Sequence, residues 1–330
     1  MRSHFDSAAM FLKHVQAEYS RPVQFDRSDK GFDRMTKEAL RQHGATISDD
    51  NFFEFKFEPV MDDLTSTLMS ALSPSELLKT RQLLAIGALE SNEFNAMCIR
   101  SQDGWYAIVI NYGLFMYLNM YFKLQAAFTN PKAVVYCNPG KVENLVSADY
   151  KRYFEHLVEQ YQRYGAACGP KIKLNEGSTF TCGLQLLSAE LFVLGHELGH
   201  FLNGDLEDEA NLEPHPKLRD VRILVQDRDR EIENQADITG YRLLKEGLKT
   251  RFPKIQHTEL DNYVFGLVMN VMDALYFVTS DQGNSHPTSI ERMVSIARHY
   301  YGERIAELVS RSFKDQAIMT QLFGELRLTK

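Results

Sequence analysis

The stretch LQLLSAELFVLGHELGHFLNGD, at residues 184–205, determines how the rest of the chain is interpreted. Its run of apolar residues predicts a helix over 181–203, and Gly204 stands where a glycine commonly ends a helix. Near its end this apolar helix carries the polar motif HELGH, at 196–200. A helix of this kind is expected in the core, with the motif at its C-terminal end.

The two histidines of the motif, His196 and His200, are four residues apart. At about 100° per helical residue, their imidazoles lie roughly 40° apart on one face. Such a pair can offer nitrogens to one tetrahedral zinc ion, and Glu197 projects beside them as a general base. A catalytic zinc also needs a third protein ligand and an open position for water.

The next predicted helix, 229–247, supplies candidates for the third ligand. Glu233 lies 33 residues after His200, which leaves room for a loop and an antiparallel return. Asp237 follows one turn later on the same face and could accept the far N–H of a ligand histidine. Glu231 competes for the ligand position but has no acidic residue four positions further on.

A third polar element, SHPTSIER, lies at residues 285–292. Its proline and hydroxyl residues predict the start of a helix over 288–299. His286 could donate a hydrogen bond to a tetrahedral oxyanion, and Arg292 could orient an aspartate or the substrate. Tyr241 is an alternative oxyanion donor, although core packing explains that tyrosine better.

Composition bounds the class of protein. The chain has 330 residues, a formal net charge of −7, 44% hydrophobic residues and 25% charged residues, which is a globular mixture. These values exclude a disordered chain, a collagen-like repeat and a disulfide-rich miniprotein. The mild acidity argues against a nucleic-acid-binding protein, which usually concentrates basic residues on one face.

The chain shows no signal-peptide pattern, and we expect no membrane-spanning segment. Its longest apolar stretch, 263–278, is shorter than the roughly 20 residues that span a bilayer, and it contains Asn270 and Asp273. The cysteines lack CxxC spacing and are typical of buried, reduced thiols in a cytoplasmic protein. They are Cys98, Cys137, Cys168 and Cys182.

We predict an α+β fold with two regions. Residues 1–90 form a mostly helical N-terminal region of unknown role, and residues 91–330 form a mainly helical domain with a small antiparallel sheet. The clearest strands are a hairpin of 94–100 and 105–111 around Asp103-Gly104. The other predicted elements are strands at 52–58 and 133–137 and helices at 75–90, 112–128, 148–164, 258–280 and 302–312.

The segment 204–228 lies between the candidate ligands and is predicted to be a solvated loop. Its first part is acidic, and a second metal site is the minor alternative. His215 is interpreted as a surface residue of this loop. The acidic residues are Asp205, Glu207, Asp208, Glu209 and Glu213.

Three motifs together carry a family resemblance. HELGH (196–200), ENQAD (233–237) and HPTSIER (286–292) resemble the gluzincin zinc metallopeptidases. The pattern HExxH…ExxxD…HPxxxxR is similar to that of the CAAX-prenyl-protease-like group. Without membrane helices, the chain is more similar to soluble relatives, such as the phage-exclusion protease Lit and ImmA-type peptidases.

The resemblance implies a zincin-like domain that binds Zn²⁺ through His196, His200 and Glu233. It implies that Glu197 is the catalytic base and acid, and it raises the expectation of a catalytic His286. It also implies that Asp237 orients a ligand histidine by accepting a hydrogen bond from its non-coordinating nitrogen. Arg292 could in turn orient this aspartate. The resemblance covers about 183–292 and does not reach the N-terminal 90 residues.

These observations predict a cytoplasmic zinc-dependent endopeptidase with a regulatory or phage-response role. Its partner would be a protein or peptide substrate, held as an added strand on the hairpin 94–111. Two alternatives stay open at this point. The chain could be a sensor or interaction protein that contains zinc but does not hydrolyse, or a metal-dependent amidohydrolase with a non-peptide substrate.

Overall fold

A computed structural model describes residues 5–19, 58–91, 93–138, 146–164, 171–216, 218, 221–224, 230–255, 257–276 and 287–312. The structural statements below concern these residues. In chain order, the elements are α1 (Ala8–Tyr19), α2 (Glu58–Ser70), α3 (Pro74–Leu83), β1 (Leu84–Leu89), β2 (Ala96–Ser101), β3 (Tyr106–Asn111), α4 (Tyr112–Thr129), β4 (Val134–Asn138), α5 (Ser147–Tyr164), β5 (Lys171–Leu174), α6 (Glu176–Asn203), β6 (Leu212–Pro214), β7 (Val221–Leu224), α7 (Arg230–Arg251), α8 (His257–Tyr276), α9 (Ser289–Tyr301) and α10 (Glu303–Ser312).

The fold is α+β and mainly helical, as predicted, but its principal sheet is mixed. Five strands lie in the order β1-β3-β2-β7-β6. The predicted hairpin is confirmed: β2 and β3 pair antiparallel, and Gly104 in their turn has a φ of 87°. The expectation of an antiparallel sheet is wrong at one edge, because β1 pairs parallel to β3. β4 and β5 form a separate antiparallel pair.

The helix predicted over 75–90 ends early. Ser73 caps α3 in a capping box with Glu76, but the helix stops at Leu83. Leu84–Leu89 continues as a strand that pairs with β3 along its whole length. A short apolar run is compatible with either structure, and here pairing and burial in the sheet decide between them.

The segment 204–228 is not simply a solvated loop. It contains β6 and β7, and β7 pairs with β2, so the segment extends the sheet. Two of its acidic side chains form ion pairs: Glu207 lies 2.9 Å from Lys79, and Glu209 lies 2.9 Å from Arg100. These partners lie far away in the sequence, and a local pattern cannot predict them.

The other predicted elements are found close to their expected places. The helices expected at 112–128, 148–164, 181–203, 229–247, 288–299 and 302–312 correspond to α4, α5, α6, α7, α9 and α10, and the strand at 133–137 corresponds to β4. α8 covers the described part of the helix expected at 258–280. The strand predicted at 52–58 falls outside the described residues except for Glu58, which begins α2.

The sheet separates two apolar clusters. One face packs against the large cluster that includes α4, α6, α7 and α8, and the other face packs against α1. β1 lies before residue 90 and pairs with β3 after it, so the sheet crosses the predicted regional boundary. Among the described helices, α6 is long and apolar enough to cross a membrane, a test that a buried core helix also passes.

α6 and α7 approach each other closely because small residues lie where they cross. A Cβ built on Gly199 would lie 2.8 Å from the Ala236 carbonyl oxygen, and one on Gly240 would lie 2.8 Å from the His196 backbone nitrogen. A Cβ built on Gly195 would lie 3.2 Å from the Gly240 carbonyl oxygen. The backbones can therefore meet only where side chains are absent.

This crossing predicts the effect of added methyl groups. Gly240→Ala should lower the free energy of unfolding by about 1–3 kcal/mol, because its Cβ would press on backbone that cannot rotate away. Gly183→Ala on α6 is the matched control, since its Cβ would meet nothing within 4 Å. That control should be neutral or stabilising by up to about 1 kcal/mol. Urea unfolding measures the free energy of unfolding of both variants. Equal changes in the two variants would contradict the close contact of α6 with α7 at Gly240.

Candidate metal centre

The α6–α7 crossing brings three predicted ligands together. The Nε2 atoms of His196 and His200 are 3.1 Å apart. A Glu233 carboxylate oxygen lies 3.4 Å from the His196 Nε2, and the other lies 3.7 Å from the His200 Nε2. The potential ligand atoms of all three side chains lie within 4.8 Å of one another. The structure therefore places His196, His200 and Glu233 in one cluster that could hold a metal ion.

The spacing of these atoms fits a tetrahedral ion. Zinc–nitrogen and zinc–oxygen bonds of about 2.0–2.1 Å place neighbouring ligand atoms roughly 3.3 Å apart. The 3.1 Å between the two imidazole nitrogens and the 3.4 Å from the His196 Nε2 to one Glu233 oxygen lie near that value, and with one atom from each residue all separations are within 4.8 Å. Two imidazoles and one carboxylate also leave a fourth position for water or substrate, as catalytic zinc sites do.

The Nδ1 side of the His196 ring contacts a buried ion pair. Its Nδ1 lies 2.8 Å from Asp237 Oδ1, and Arg292 Nε donates to Asp237 Oδ2 at 2.7 Å. Asp237 is completely buried; burial opposes its charge, but Arg292 and His196 keep the pKa of Asp237 below its usual range. This arrangement orients the His196 ring so that Nε2 points at the other ligands.

His200 has a carboxylate partner that the sequence analysis missed. Its Nδ1 lies 2.9 Å from Asp205 Oδ2. Gly204 adopts a left-handed conformation at φ 80°, and the Asp205 N–H then donates to the His200 carbonyl oxygen at 3.1 Å. This helix-ending motif turns Asp205 back onto the last turn of α6. The available signal was the acidic residue directly after the predicted terminal glycine.

Glu197 lies between the helix and the sheet. Its Oε2 accepts a hydrogen bond from the Cys98 backbone N–H in β2, with 2.7 Å between nitrogen and oxygen. The neighbouring His196 points to the ligand cluster from the same turn of α6. The Glu197 carboxylate is therefore held by a backbone donor in the sheet, while its neighbour His196 contributes to the cluster.

The remaining predicted site residues divide into three groups. Glu231 is exposed and accepts a hydrogen bond from the Gln235 side chain. It lines a separate cavity of about 450 Å³ between α7 and α9, so it is not part of the cluster. Tyr241 is fully buried, and its hydroxyl contacts that of Tyr301 at 2.5 Å, which agrees with core packing. His286 lies outside the described residues, although Arg292 in the same motif does contact the site.

Two further expectations concern His215 and the cysteines. His215 is buried and accepts the Leu218 N–H through Nδ1, so its interpretation as a surface residue is wrong. The described cysteines, Cys98, Cys137 and Cys182, are free and buried. Burial, together with the nearby carboxylates of Glu197 and Asp205, raises the pKa of Cys98, which favours the protonated thiol in the metal-free chain.

Comparison with known proteins adds no family assignment. No protein-family model, no curated protein and no solved structure matches this chain. The chemistry of the site must therefore be argued from its own residues.

The charges around His196 predict proton release on metal binding. Burial alone would lower its pKa, but the bonds to Asp237 and Glu233 outweigh burial and raise the pKa of His196 to about 10 in the metal-free chain. Since the ordinary value is 6.5, the protonated ring stabilises the metal-free fold fully below pH 6.5, and that contribution disappears as pH rises through 10.

Zinc binding at pH 7.5 should therefore displace this proton. Calorimetry in buffers of different ionisation enthalpy measures this release, which should be about one proton from His196 per zinc at pH 7.5 and should decline as the pH rises through 10. Zinc binding without proton release at pH 7.5 would contradict a protonated His196 in the metal-free chain.

Asp205 should matter to metal affinity although it does not contact the metal position. Asp205→Asn weakens the acceptor on His200 Nδ1 and should lower zinc affinity about 10- to 100-fold. Glu231→Gln is the matched control, because it removes a carboxylate charge from an exposed side chain outside the cluster. Competition with a chromophoric chelator measures both affinities, and an unchanged value for Asp205→Asn would remove its positioning role.

Proposed function

We propose that the chain is a zinc-dependent peptidase. The observation that carries this proposal is the convergence of His196, His200 and Glu233, with Glu197 adjacent to His196 in α6 and held by the Cys98 N–H. A purely structural zinc site has four protein ligands, and it does not require a general base such as Glu197. The gluzincin resemblance is part of the same proposal, and the contacts of Asp237 with His196 and with Arg292 support it.

The residues divide the chemistry between them. Zinc, when bound, supplies a Lewis acid that polarises a carbonyl group and makes a water molecule more acidic. Glu197 removes a proton from the attacking water and later delivers it to the leaving amine. The Cys98 N–H holds the Glu197 carboxylate in place for both transfers. His196, supported by Asp237, and His200, supported by Asp205, keep their rings fixed.

The position of Glu197 at a strand edge favours a peptide as the substrate. Ala96 and Cys98 direct their backbone groups away from β3, and among the described strands none pairs with them on that side. The Cys98 N–H is used by Glu197, so a peptide would pair through the Cys98 carbonyl oxygen and the Ala96 backbone groups. An extended peptide can add to such an edge through main-chain hydrogen bonds. A scissile peptide bond lying beside Cys98 would then be within reach of Glu197.

The decisive variant is Glu197→Gln. It should retain zinc, because Glu197 is not one of the three ligand residues, and it should lose about 10²- to 10⁴-fold in the rate of peptide hydrolysis. Zinc content by atomic absorption and cleavage of a mixed peptide pool by mass spectrometry measure the two properties. Glu231→Gln is the control and should retain both.

Two results would contradict the proposal. Undiminished cleavage by Glu197→Gln would exclude Glu197 as the base. Failure of the unaltered chain to bind zinc would exclude the metal site itself.

A further inference from the structure

One acidic side chain of α6 is buried without a partner. Glu190 is 7% exposed, and among the described residues no group forms a hydrogen bond or an ion pair with its carboxyl. The two other buried acidic residues of the described chain, Asp237 and Asp261, each contact a basic side chain. A buried carboxylate without such a partner is strongly destabilising, so Glu190 must carry a proton in the packed fold.

Glu190 stands apart from the candidate metal centre. The nearest candidate ligand in the sequence, His196, follows six residues later, about 9 Å further along the helix axis. A change of charge on Glu190 can therefore be studied separately from the ligands.

The charged groups on the elements around Glu190 leave one that acts on it. This group is the carboxylate of Asp63 on α2, a helix that packs against α6 and α7. No charge on α4, α8, β2 or β3 affects Glu190 among the described residues, and this includes Lys123 and Asp261. On α7, Arg251 is committed to Asp63 and donates to both of its carboxylate oxygens at 2.8 Å. Burial and, to a lesser extent, Asp63 raise the pKa of Glu190 to about 8.

α2 is the surface element on this side of Glu190. It buries Met61, Leu64 and Leu68, whereas the Asp63 side chain on the same helix is 52% exposed. An ionised Glu190 would meet a like charge on α2 and no cation of its own. Displacement of α2 would relieve that repulsion and admit water to the Glu190 carboxylate.

We propose that Glu190 is a proton-controlled switch for the packing of α2. The protonated carboxyl is compatible with the closed core, and transfer of its proton to water opens α2. The switch does not rest on the proposed peptidase function, because neither Glu190 nor Asp63 belongs to the candidate metal centre.

Rising pH should weaken the fold through this group. Glu190 has an ordinary pKa of 4.5 and a pKa of about 8 in the folded chain, so the folded chain holds an extra proton between these values. The contribution of this proton to stability is complete below pH 4.5 and is lost as pH rises through 8. One extra proton in the folded state changes the unfolding equilibrium constant about tenfold per pH unit.

Urea unfolding of Glu190→Gln tests the linkage, because glutamine resembles the protonated acid. The unfolding constant of the unaltered chain divided by that of the variant should rise at least tenfold from pH 5 to pH 8. Protonation of His196 affects both proteins equally and cancels in this ratio. Glu176→Gln is the matched control, since it removes an exposed carboxylate from the same helix, and its ratio should change less than twofold.

Hydrogen exchange with mass spectrometry locates the opening. In the unaltered full chain, exchange of the α2 amides, corrected for the intrinsic effect of pH, should be at least tenfold faster at pH 9 than at pH 6.5. In Glu190→Gln the corrected change should be less than twofold. Amides of α8 serve as an internal reference and should respond equally in both proteins.

Two results would overturn the switch. One is a ratio of unfolding constants that stays the same from pH 5 to pH 8. The other is α2 exchange that does not accelerate, or that accelerates equally in Glu190→Gln. If Glu190→Gln does not fold, as judged by circular dichroism, exchange in the unaltered chain decides: acceleration confined to α2 supports the switch, and its absence overturns it.

Discussion

The close contact of α6 with α7 is the constraint on which the site depends. Gly195 and Gly199 on one helix meet Ala236 and Gly240 on the other, and the backbones touch where longer side chains would collide. Each ligand side chain reaches only a few ångströms from its helix. The 3.4 Å and 3.7 Å separations between Glu233 and the histidines therefore require a helix spacing that only these small residues allow.

The same crossing buries charge, which must be compensated locally. Asp237 has no exposed surface, and a buried carboxylate without a partner would be strongly destabilising. Arg292, from α9, and His196 provide that compensation. The ion pair thus links a third helix to the α6–α7 pair and orients His196 at the same time. Stability and the geometry of the site depend on one set of contacts.

The sheet contributes a second link between helix and strand. Glu197 reaches from α6 to the Cys98 N–H, so the candidate base is fixed by a strand and the ligands by helices. β7 takes the part of the β2 edge that Glu197 does not reach.

The sequence by itself determined the local geometry: the one-turn spacing of the two histidines, that of Glu233 and Asp237, the glycine that ends α6, and the β2–β3 hairpin. These features depend on helical and strand periods, which act over a few residues. Only the tertiary structure decided that Glu233 and not Glu231 faces the histidines, that Asp205 turns back to His200, and that Leu84–Leu89 is a strand. Each of these depends on contacts between residues distant in sequence or on chain reversal, where burial and pairing override local preference.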